Sequence, residues 1–256
     1  MIDPRAMADR LIEAERNRSA IVPFTKANPF LGTQAAYAAQ ALFYGERLAA
    51  GERPVGLKLG LTSRVKQLAL GIDSPVYGHL TSGMIVQFGE PIKLPELISP
   101  KIEPELAFLI GREIGDHVGL CEVLAAVDAV VPALEIVDSR YNSPFRLVDS
   151  VADNAGAARV VLGAAARPPR ELTDLRLLGC VFRHPRGIDT ATGGAAMGHP
   201  AAAISWLAHQ LVGRGQRIEP GQIILSGGLT SAMPLYPGAV VRAEFDGLGS
   251  VQVRAA

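Results

Sequence analysis

Apolar residues near the start of the chain recur with the spacing of an amphipathic helix. Four of them lie three or four residues apart, namely Tyr37, Ala41, Tyr44 and Leu48. Thr33 is a candidate N-cap for this helix, and Gly51 follows where a helix would stop. Residues 6–15 carry a second amphipathic pattern. These patterns predict a helical N-terminal segment over residues 1–53.

Beyond Pro54 the chain changes to short apolar runs separated by glycine and proline, which is typical of strands and turns. The predicted strands cover residues 55–60, 84–88, 103–110, 131–137, 160–162, 178–183, 222–226, 239–245 and 250–254. Helices are predicted over residues 63–70, 122–130 and 200–212. Because strands outnumber helices here, we expect an α+β fold in which residues 54–256 form one β-rich, mixed-sheet core.

Composition narrows the classes of protein to which the chain can belong. Lys and Arg together number 25, as do Asp and Glu, and this balance argues against a nucleic-acid partner. No apolar run reaches the roughly 18 residues of a membrane span, and the N-terminus lacks the basic-then-apolar order of a secretory signal. We therefore expect a cytoplasmic protein without a membrane partner. Cys121 and Cys180 lie in apolar stretches and are expected to be buried free thiols.

Paired carboxylates give the first indication of chemistry. Glu103 and Glu105 share one face of a predicted strand, because side chains alternate between faces. Side by side at the head of an apolar strand they repel each other and resist burial, and a cation would relieve both costs. Pro104 between them cannot donate to a β-ladder, which predicts an edge, a strand start or a bulge at this point.

Glu135 is a third carboxylate, flanked by apolar residues on both sides in the run PALEIVD. Its isolated burial would be costly unless a cation or another partner compensated the charge. Three carboxylates with no His or Cys partner favour Mg²⁺ or Mn²⁺ over Zn²⁺. The alternative is a solvated strand face, on which a Glu-x-Glu pair is common.

Eight short motifs, in order along the chain, carry a resemblance to a known family. They are VGLKLGLTS at 55–63, LGIDSPVYGHL at 70–80, PKIEPELAF at 100–108, PALEIVDSR at 132–140, VADNA at 151–155, GHP at 198–200, GGLT at 227–230 and GLGSV at 247–251. Together they resemble the hydratase/decarboxylase branch of the fumarylacetoacetate hydrolase superfamily, whose enzymes act in the meta-cleavage pathway for aromatic compounds. The resemblance implies that family's β-rich fold.

The resemblance also implies the identity of the site residues. It implies a Mg²⁺ or Mn²⁺ site built from Glu103, Glu105 and Glu135, and a catalytic lysine at Lys58. The implied substrate-contacting residues are Leu61, Ser63, Val76 and Thr230. The implied substrate is a small 2-oxo dicarboxylic acid. Family members usually carry a small residue other than proline between the paired glutamates, so Pro104 is a departure from the pattern.

Val76 separates the two activities of the branch. Hydratases typically read Pro-Asp-Tyr/Phe-Gly where this chain reads PVYG at 75–78, and GGLT at 227–230 resembles the decarboxylases. The resemblance therefore implies decarboxylation of 2-oxohex-3-enedioate (4-oxalocrotonate) to 2-hydroxypenta-2,4-dienoate and CO₂. One alternative is a 2-hydroxypenta-2,4-dienoate hydratase. Another is a non-catalytic homologue that stabilises a hydratase partner, against which the retained Lys58 and three glutamates argue. A homo-oligomer and a complex with a pathway hydratase are also expected.

Several other residues have a chemical and a structural interpretation. Arg140 could pair with the distal carboxylate of the substrate or with Asp138 or Asp149. Lys101 is interpreted as a solvated lysine at a strand end, and His199 as a packing or capping residue before the helix at 200–212. Asp153 and Asn154 are expected in a loop near the site, with capping as the simpler role.

Overall fold

The computed structural model describes residues 2–70 and 72–256, with only the main chain at Lys66, Ala69 and Leu70. Gly71, in the motif at 70–80, lies outside the described residues. The helices are α1 (Pro4–Asn17), α2 (Phe24–Ala27), α3 (Thr33–Ala49), α4 (Arg64–Leu70), α5 (Leu120–Ala126), α6 (Leu147–Ala152) and α7 (Pro200–Val212). Within the described ranges, none of them is both long and apolar enough to cross a membrane.

The strands form two sheets. They are β1 (Pro54–Gly60), β2 (Val76–Thr81), β3 (Pro100–Ile110), β4 (Val127–Asp138), β5 (Ala157–Leu162), β6 (Gly179–His184), β7 (Gly187–Thr192), β8 (Ile223–Leu225), β9 (Met233–Pro234), β10 (Val240–Phe245) and β11 (Gly249–Arg254). The larger sheet has the order β2-β1-β8-β3-β4-β5, with β9 beside β3, and the smaller has the order β11-β10-β6-β7. The parallel pairing of β1 with β8 makes the larger sheet mixed. This architecture confirms the predicted α+β class with a β-rich core and helical N-terminal segment.

The long antiparallel pair β3 and β4 separates the main core from the site. Even-numbered positions such as Ile102, Leu106 and Leu134 face the main hydrophobic cluster, which the second sheet and α7 also enter. Odd-numbered positions such as Ala107 and Ala133 face a smaller cluster on the other side of the sheet. Since the glutamates also occupy odd-numbered positions, the period of the strands assigns them to that second face.

Several local predictions are wrong. The helix predicted over residues 122–130 ends at Ala126, and β4 begins at Val127. Residues 84–88 do not form a strand: Ile85 makes a single bridge to Val160, and Phe88 is 90% exposed. The N-cap of α3 is Gly32 rather than Thr33, which is itself the first helical residue. Of the two thiols, Cys180 is buried as predicted, whereas Cys121 is exposed.

Pro104 lies inside β3 rather than at an edge, a strand start or a bulge, so that prediction is also wrong. It is in register with Leu134 of β4, while its carbonyl accepts a hydrogen bond of 3.0 Å from the Leu229 amide on the opposite side. In an antiparallel strand the N–H and C=O of one residue point to the same side. The absent N–H therefore faces the gap between β8 and β9, where no ladder partner is required.

Candidate metal centre and substrate cavity

Glu103, Glu105 and Glu135 come together on one face of the sheet. Glu103 lies directly opposite Glu135 in the register of β3 and β4, and Glu105 follows two residues later on the same face. Their exposed fractions are 9%, 0% and 0%, so all three carboxylates are buried. One oxygen from each lies within 4.8 Å of the others. This cluster has the spacing and the oxygen donors that a small divalent cation requires.

Lys58 approaches the same cluster from the neighbouring part of the sheet. It lies in β1, and its side chain is 2% exposed. Its Nζ lies 3.0 Å from Glu135 Oε1 and donates a hydrogen bond of 3.0 Å to the Ala155 carbonyl. Burial alone would lower the pKa of Lys58, but the charges of the three glutamates outweigh it and raise the pKa above its usual value. Lys58 is therefore a buried ammonium.

Two of the carboxylates, Glu105 and Glu135, are buried in surroundings that disfavour their charge. Burial raises the pKa of Glu105 well above its usual range, and the charges of Glu135 and Glu103 add to that increase. Burial also raises the pKa of Glu135, although Lys58 opposes the effect. The Gly227 amide donates to Glu105 Oε2 at 2.8 Å and the Lys58 ammonium lies 3.0 Å from Glu135 Oε1, whereas no described N–H group donates to Glu105 Oε1 or to Glu135 Oε2. These oxygens fit a cation, which would supply the missing positive charge and the missing partners.

The loop after β8 needs glycine to approach the cluster this closely. Gly227 has a φ of +104°, and a Cβ on it would lie 2.0 Å from Thr62 Oγ1. A Cβ on Gly228 would lie 2.0 Å from Glu103 Oε2. A side chain at either position would displace the loop from the carboxylates, which explains physically why GGLT belongs to the site.

A cavity of about 980 Å³ opens beside the cluster. Five of the predicted site residues line it, namely Lys58, Leu61, Ser63, Val76 and Glu103. Thr230 instead lines a neighbouring cavity of about 640 Å³ beside the β6–β7 hairpin. Lys101 and Asp153 also line the larger cavity, together with serines that the sequence did not single out: Ser99, Ser139, Ser143 and Ser150. No local pattern distinguishes these serines from surface ones: three reach the cavity through the path of their loops, and Ser150 through the placement of α6.

The N-terminal helices hold one wall of this cavity through buried polar side chains. We call residues 138–157 the wall segment. The Thr25 amide and hydroxyl both donate to the Asp149 carboxylate, at 3.0 and 2.5 Å. Gln40 Nε2 donates to the Tyr77 carbonyl at 2.9 Å and to the Val151 carbonyl at 2.8 Å. The bonds to Asp149 and Val151 connect α2 and α3 to α6, and so fix the wall segment from the side away from the cavity, while the bond to Tyr77 connects α3 to β2.

Arg140 is a second anchor of the wall segment. Its guanidinium is 2% exposed, donates to Glu15 at 3.0 Å and lies 3.4 Å from Asp153. The predicted side-chain partners Asp138 and Asp149 are therefore wrong: Arg140 contacts Asp138 only through that residue's main-chain carbonyl, at 2.9 Å. Burial raises the pKa of Asp153 to about 7, although Arg140 opposes the increase.

His199 confirms its predicted structural role. It is the N-cap of α7, and its Nδ1 accepts a hydrogen bond of 3.0 Å from the Ala201 amide. An imidazole nitrogen used in this way satisfies one of the free amides of the first helical turn.

Comparison with known proteins identifies the family. The fumarylacetoacetate (FAA) hydrolase C-terminal family matches residues 60–255. The chain belongs to the fumarylacetoacetate hydrolase family. The match covers most of the chain and includes the three glutamates, the GGLT loop and the wall segment.

Relatives in this family carry two kinds of name. A 4-oxalocrotonate decarboxylase of a Pseudomonas species is 37% identical over 97% of this chain and 95% of its own length. A 2-keto-4-pentenoate hydratase of Paraburkholderia xenovorans is 40% identical over 96% of this chain and 92% of its own length. The crystal structure of 4-oxalocrotonate decarboxylase from Pseudomonas putida, complexed with magnesium and adipate, superposes with a TM-score of 0.94 at 36% identity, covering 99% of this chain and 97% of that one. This branch of the family thus contains enzymes of both activities.

Proposed function

We propose that this protein decarboxylates 4-oxalocrotonate to 2-hydroxypenta-2,4-dienoate and CO₂, with a divalent cation, Mg²⁺ or Mn²⁺, held by Glu103, Glu105 and Glu135. The similar decarboxylase that was crystallised with magnesium and adipate, a six-carbon dicarboxylate, supports a cation and a substrate of this class. The buried oxygens Glu105 Oε1 and Glu135 Oε2, which lack a hydrogen-bond donor, support the same assignment. The chemistry supplied by such a cation is Lewis-acid stabilisation of negative charge on an oxygen of the 2-oxo acid.

Val76 is the residue on which the proposal of decarboxylation rather than hydration rests. Its side chain is 1% exposed and lines the cavity where a hydratase of this branch is expected to keep an acid. An apolar residue there avoids like-charge repulsion with the leaving carboxylate and excludes water from the product. The nearby carboxylate of Asp153 is engaged by Arg140, at 3.4 Å from the guanidinium and 3.0 Å from the main-chain amide.

Lys58 has two roles in this proposal: it supplies a proton to the product, and its charge offsets that of the carboxylates. Cleavage of the bond between C5 and C6 releases CO₂, and the electron pair delocalises through the C=C bond onto the C2 oxygen. One proton on that oxygen then gives the product, 2-hydroxypenta-2,4-dienoate, which keeps the C1 carboxylate. The ammonium of Lys58 borders the cavity and can donate that proton, while its charge offsets the excess of three carboxylates over one divalent cation.

Hydration of 2-hydroxypenta-2,4-dienoate is the second candidate, because a hydratase relative has the higher identity, 40% against 37%. The two functions separate when each substrate is supplied alone with Mg²⁺. CO₂ release from 4-oxalocrotonate without hydration of 2-hydroxypentadienoate is the expected result. Hydration of the second substrate without CO₂ release from the first would instead assign the chain to the hydratases. Val76→Asp is expected to reduce CO₂ release by on the order of tenfold, since it restores the charge that the pocket lacks.

Assembly is a separate prediction. We expect a homo-oligomer and a complex with the hydratase that consumes the product. Light scattering of the purified protein, alone and mixed with a 2-hydroxypentadienoate hydratase, tests both expectations.

A further inference from the structure

Two acceptors orient the ammonium of Lys58. One is Glu135 Oε1, at 3.0 Å, and the other is the Ala155 carbonyl, also at 3.0 Å. An ammonium has three N–H donors, so these two contacts leave one for the cavity. Glu135 is also a candidate cation ligand. The contact with Ala155 is therefore the one that fixes Lys58 independently of the carboxylate cluster.

The Ala155 carbonyl lies in a strained turn. Asn154, Ala155 and Gly156 have consecutive φ values of +52°, +52° and +70°. Glycine adopts this left-handed region freely, but an ordinary L-residue is strained in it because its Cβ crowds the main chain. A run containing alanine in this conformation persists only where surrounding contacts hold it, and such strain is typical of functional sites.

Asn154 is the side chain that clamps this turn to the sheet. It is 1% exposed, its Oδ1 accepts from the His79 amide at 2.7 Å, and its Nδ2 donates to the His79 carbonyl at 2.9 Å. Both polar ends of the amide are thus satisfied by one residue of β2. Because an amide offers a donor and an acceptor in fixed geometry, this pair of bonds sets the orientation as well as the distance.

The strand to which Asn154 is bonded, β2, is also the neighbour of the strand that carries Lys58. Lys58 in β1 is in register with Gly78 in β2, the residue next to His79. A Cβ on Gly78 would lie 2.3 Å from the Asn154 carbonyl oxygen, so glycine is required for the turn to come this close. The strand that carries Lys58 therefore positions, through β2 and Asn154, the carbonyl that orients its own ammonium.

We propose that Asn154 is a positioning residue for the reaction: it holds the Ala155 carbonyl where that carbonyl directs the Lys58 ammonium into the cavity. The inference rests on the role given to Lys58 in the proposed function. Asn154 does not touch the carboxylate cluster through any contact given above, so it acts on the lysine and leaves cation binding to the glutamates. Arg140 fixes the flanks of the turn, at Asp153 and Ala157, without contacting the Ala155 carbonyl.

Asn154→Gly and Asn154→Ala test this inference against the control Asn28→Ala. Glycine keeps access to positive φ, so that variant removes the clamp without adding strain. The Asn28 amide also donates to a main-chain carbonyl, that of Phe24 at 3.2 Å, but it lies in the N-terminal segment. We expect both Asn154 variants to lose on the order of 10²-fold in kcat, with KM and the Kd for Mn²⁺ within about threefold of wild type. The control is expected to keep wild-type kcat.

A double-mutant cycle with Lys58→Met separates positioning from a general structural role. If Asn154 acts through Lys58, adding Asn154→Gly to Lys58→Met lowers the residual rate no further. A loss of the same size in both backgrounds would overturn the inference, as would wild-type kcat in Asn154→Gly.

A crystal structure of Asn154→Gly gives a readout that does not depend on turnover. The distance from Lys58 Nζ to the Ala155 oxygen should exceed the hydrogen-bonding limit of about 3.5 Å. A retained bond would overturn the inference. Failure of the proposed function is distinguishable, because it would appear as wild-type protein that releases no CO₂ from 4-oxalocrotonate. In that case the kinetic comparison uses whichever substrate the wild type turns over.

Discussion

The two sides of the cavity are built in different ways. Glu103 and Glu135 lie on β3 and β4, strands of 11 and 12 residues that are paired along nearly their whole length. The wall segment instead consists of a short helix, a strained turn and loops. It is held by side chains from distant parts of the chain, with sequence separations of 124 for Thr25 to Asp149 and 111 for Gln40 to Val151. The first side is encoded locally, and the second depends on tertiary contacts.

This difference assigns different tasks to the two sides. A long ladder holds charged ligands at a fixed spacing, which suits a cation site that must resist repulsion among carboxylates. The wall segment contributes the Ala155 carbonyl and several hydroxyl groups, which suits recognition and orientation of a substrate. If this division is correct, variants on the strands should change cation binding. Variants in the anchors of the wall should change stability and turnover but leave the cation affinity intact.

Glu105→Gln is expected to have the largest effect. The substitution keeps the size of the side chain and an acceptor for the Gly227 amide, but it removes one charge from the site. We expect turnover and Mn²⁺ affinity to fall by on the order of 10²-fold or more. Removing a residue that only hydrogen-bonds a metal ligand already lowers metal affinity or activity by about 10–100-fold. Calorimetric titration with Mn²⁺ and CO₂ release measure the two effects. Glu244→Gln, at a half-buried position of β10 that faces Arg183 and Arg242, is the control and should match wild type. Unchanged Mn²⁺ binding in Glu105→Gln would refute the site.

Gln40→Leu is expected to have a smaller effect of a different kind. Two buried carbonyls, those of Tyr77 and Val151, lose their donor, which costs about 1–3 kcal/mol in the free energy of unfolding. The Kd for Mn²⁺ should remain that of the wild type, since the strands are untouched. Urea denaturation and Mn²⁺ titration test this pair of results. Gln34→Leu, at an exposed position of α3, serves as the control, and a weakened Mn²⁺ affinity in Gln40→Leu would remove the distinction between the two sides.

The same difference explains what the sequence could predict. Glu103, Glu105 and Glu135 were predictable because strand alternation is a local rule, and Lys58 because it lies in a motif. The anchors Glu15, Thr25 and Gln40 were not predictable, since their partners in the wall segment lie more than 100 residues away. Main-chain partners such as the Ala155 carbonyl carry no side-chain signal at all.

Errors in the strand predictions have the same origin. β2 was missed because five of its six residues are buried, so the pattern of alternating apolar and polar side chains is absent. The run at 84–88 is mostly apolar but its Phe88 is exposed, and its pairing with β5 is confined to the single bridge between Ile85 and Val160. In both cases burial was decided by the neighbouring elements.

The dependence of stability and of cation binding on pH should change gradually, and it also tests the difference between the two sides of the cavity. Burial raises the pKa of Glu105 and Glu135, and it raises the pKa of Asp153 to about 7. A carboxyl whose pKa is raised by folding stabilises the protein fully below its ordinary pKa and loses that contribution as the pH rises through the raised value. Without a divalent cation, the thermal stability should therefore fall as the pH increases from about 4 through about 7.

A bound cation should reverse this trend, but only for the glutamates on β3 and β4. Because carboxylate ligands must lose their protons, the Kd for Mg²⁺ should decrease with rising pH, by up to about tenfold per unit for each proton released, or about 1.4 kcal/mol. The increase in Tm on adding Mg²⁺ should therefore grow between about pH 5 and about pH 8. In Glu105→Gln the rise in Tm on adding Mg²⁺ should vanish. The fall in stability with pH that is due to Asp153, in the wall segment, should persist in the cation-free variant. If Mg²⁺ shifted Tm by the same amount at every pH, protons and the cation would not be competing for these carboxylates. The carboxylates on β3 and β4 would then not be the cation site.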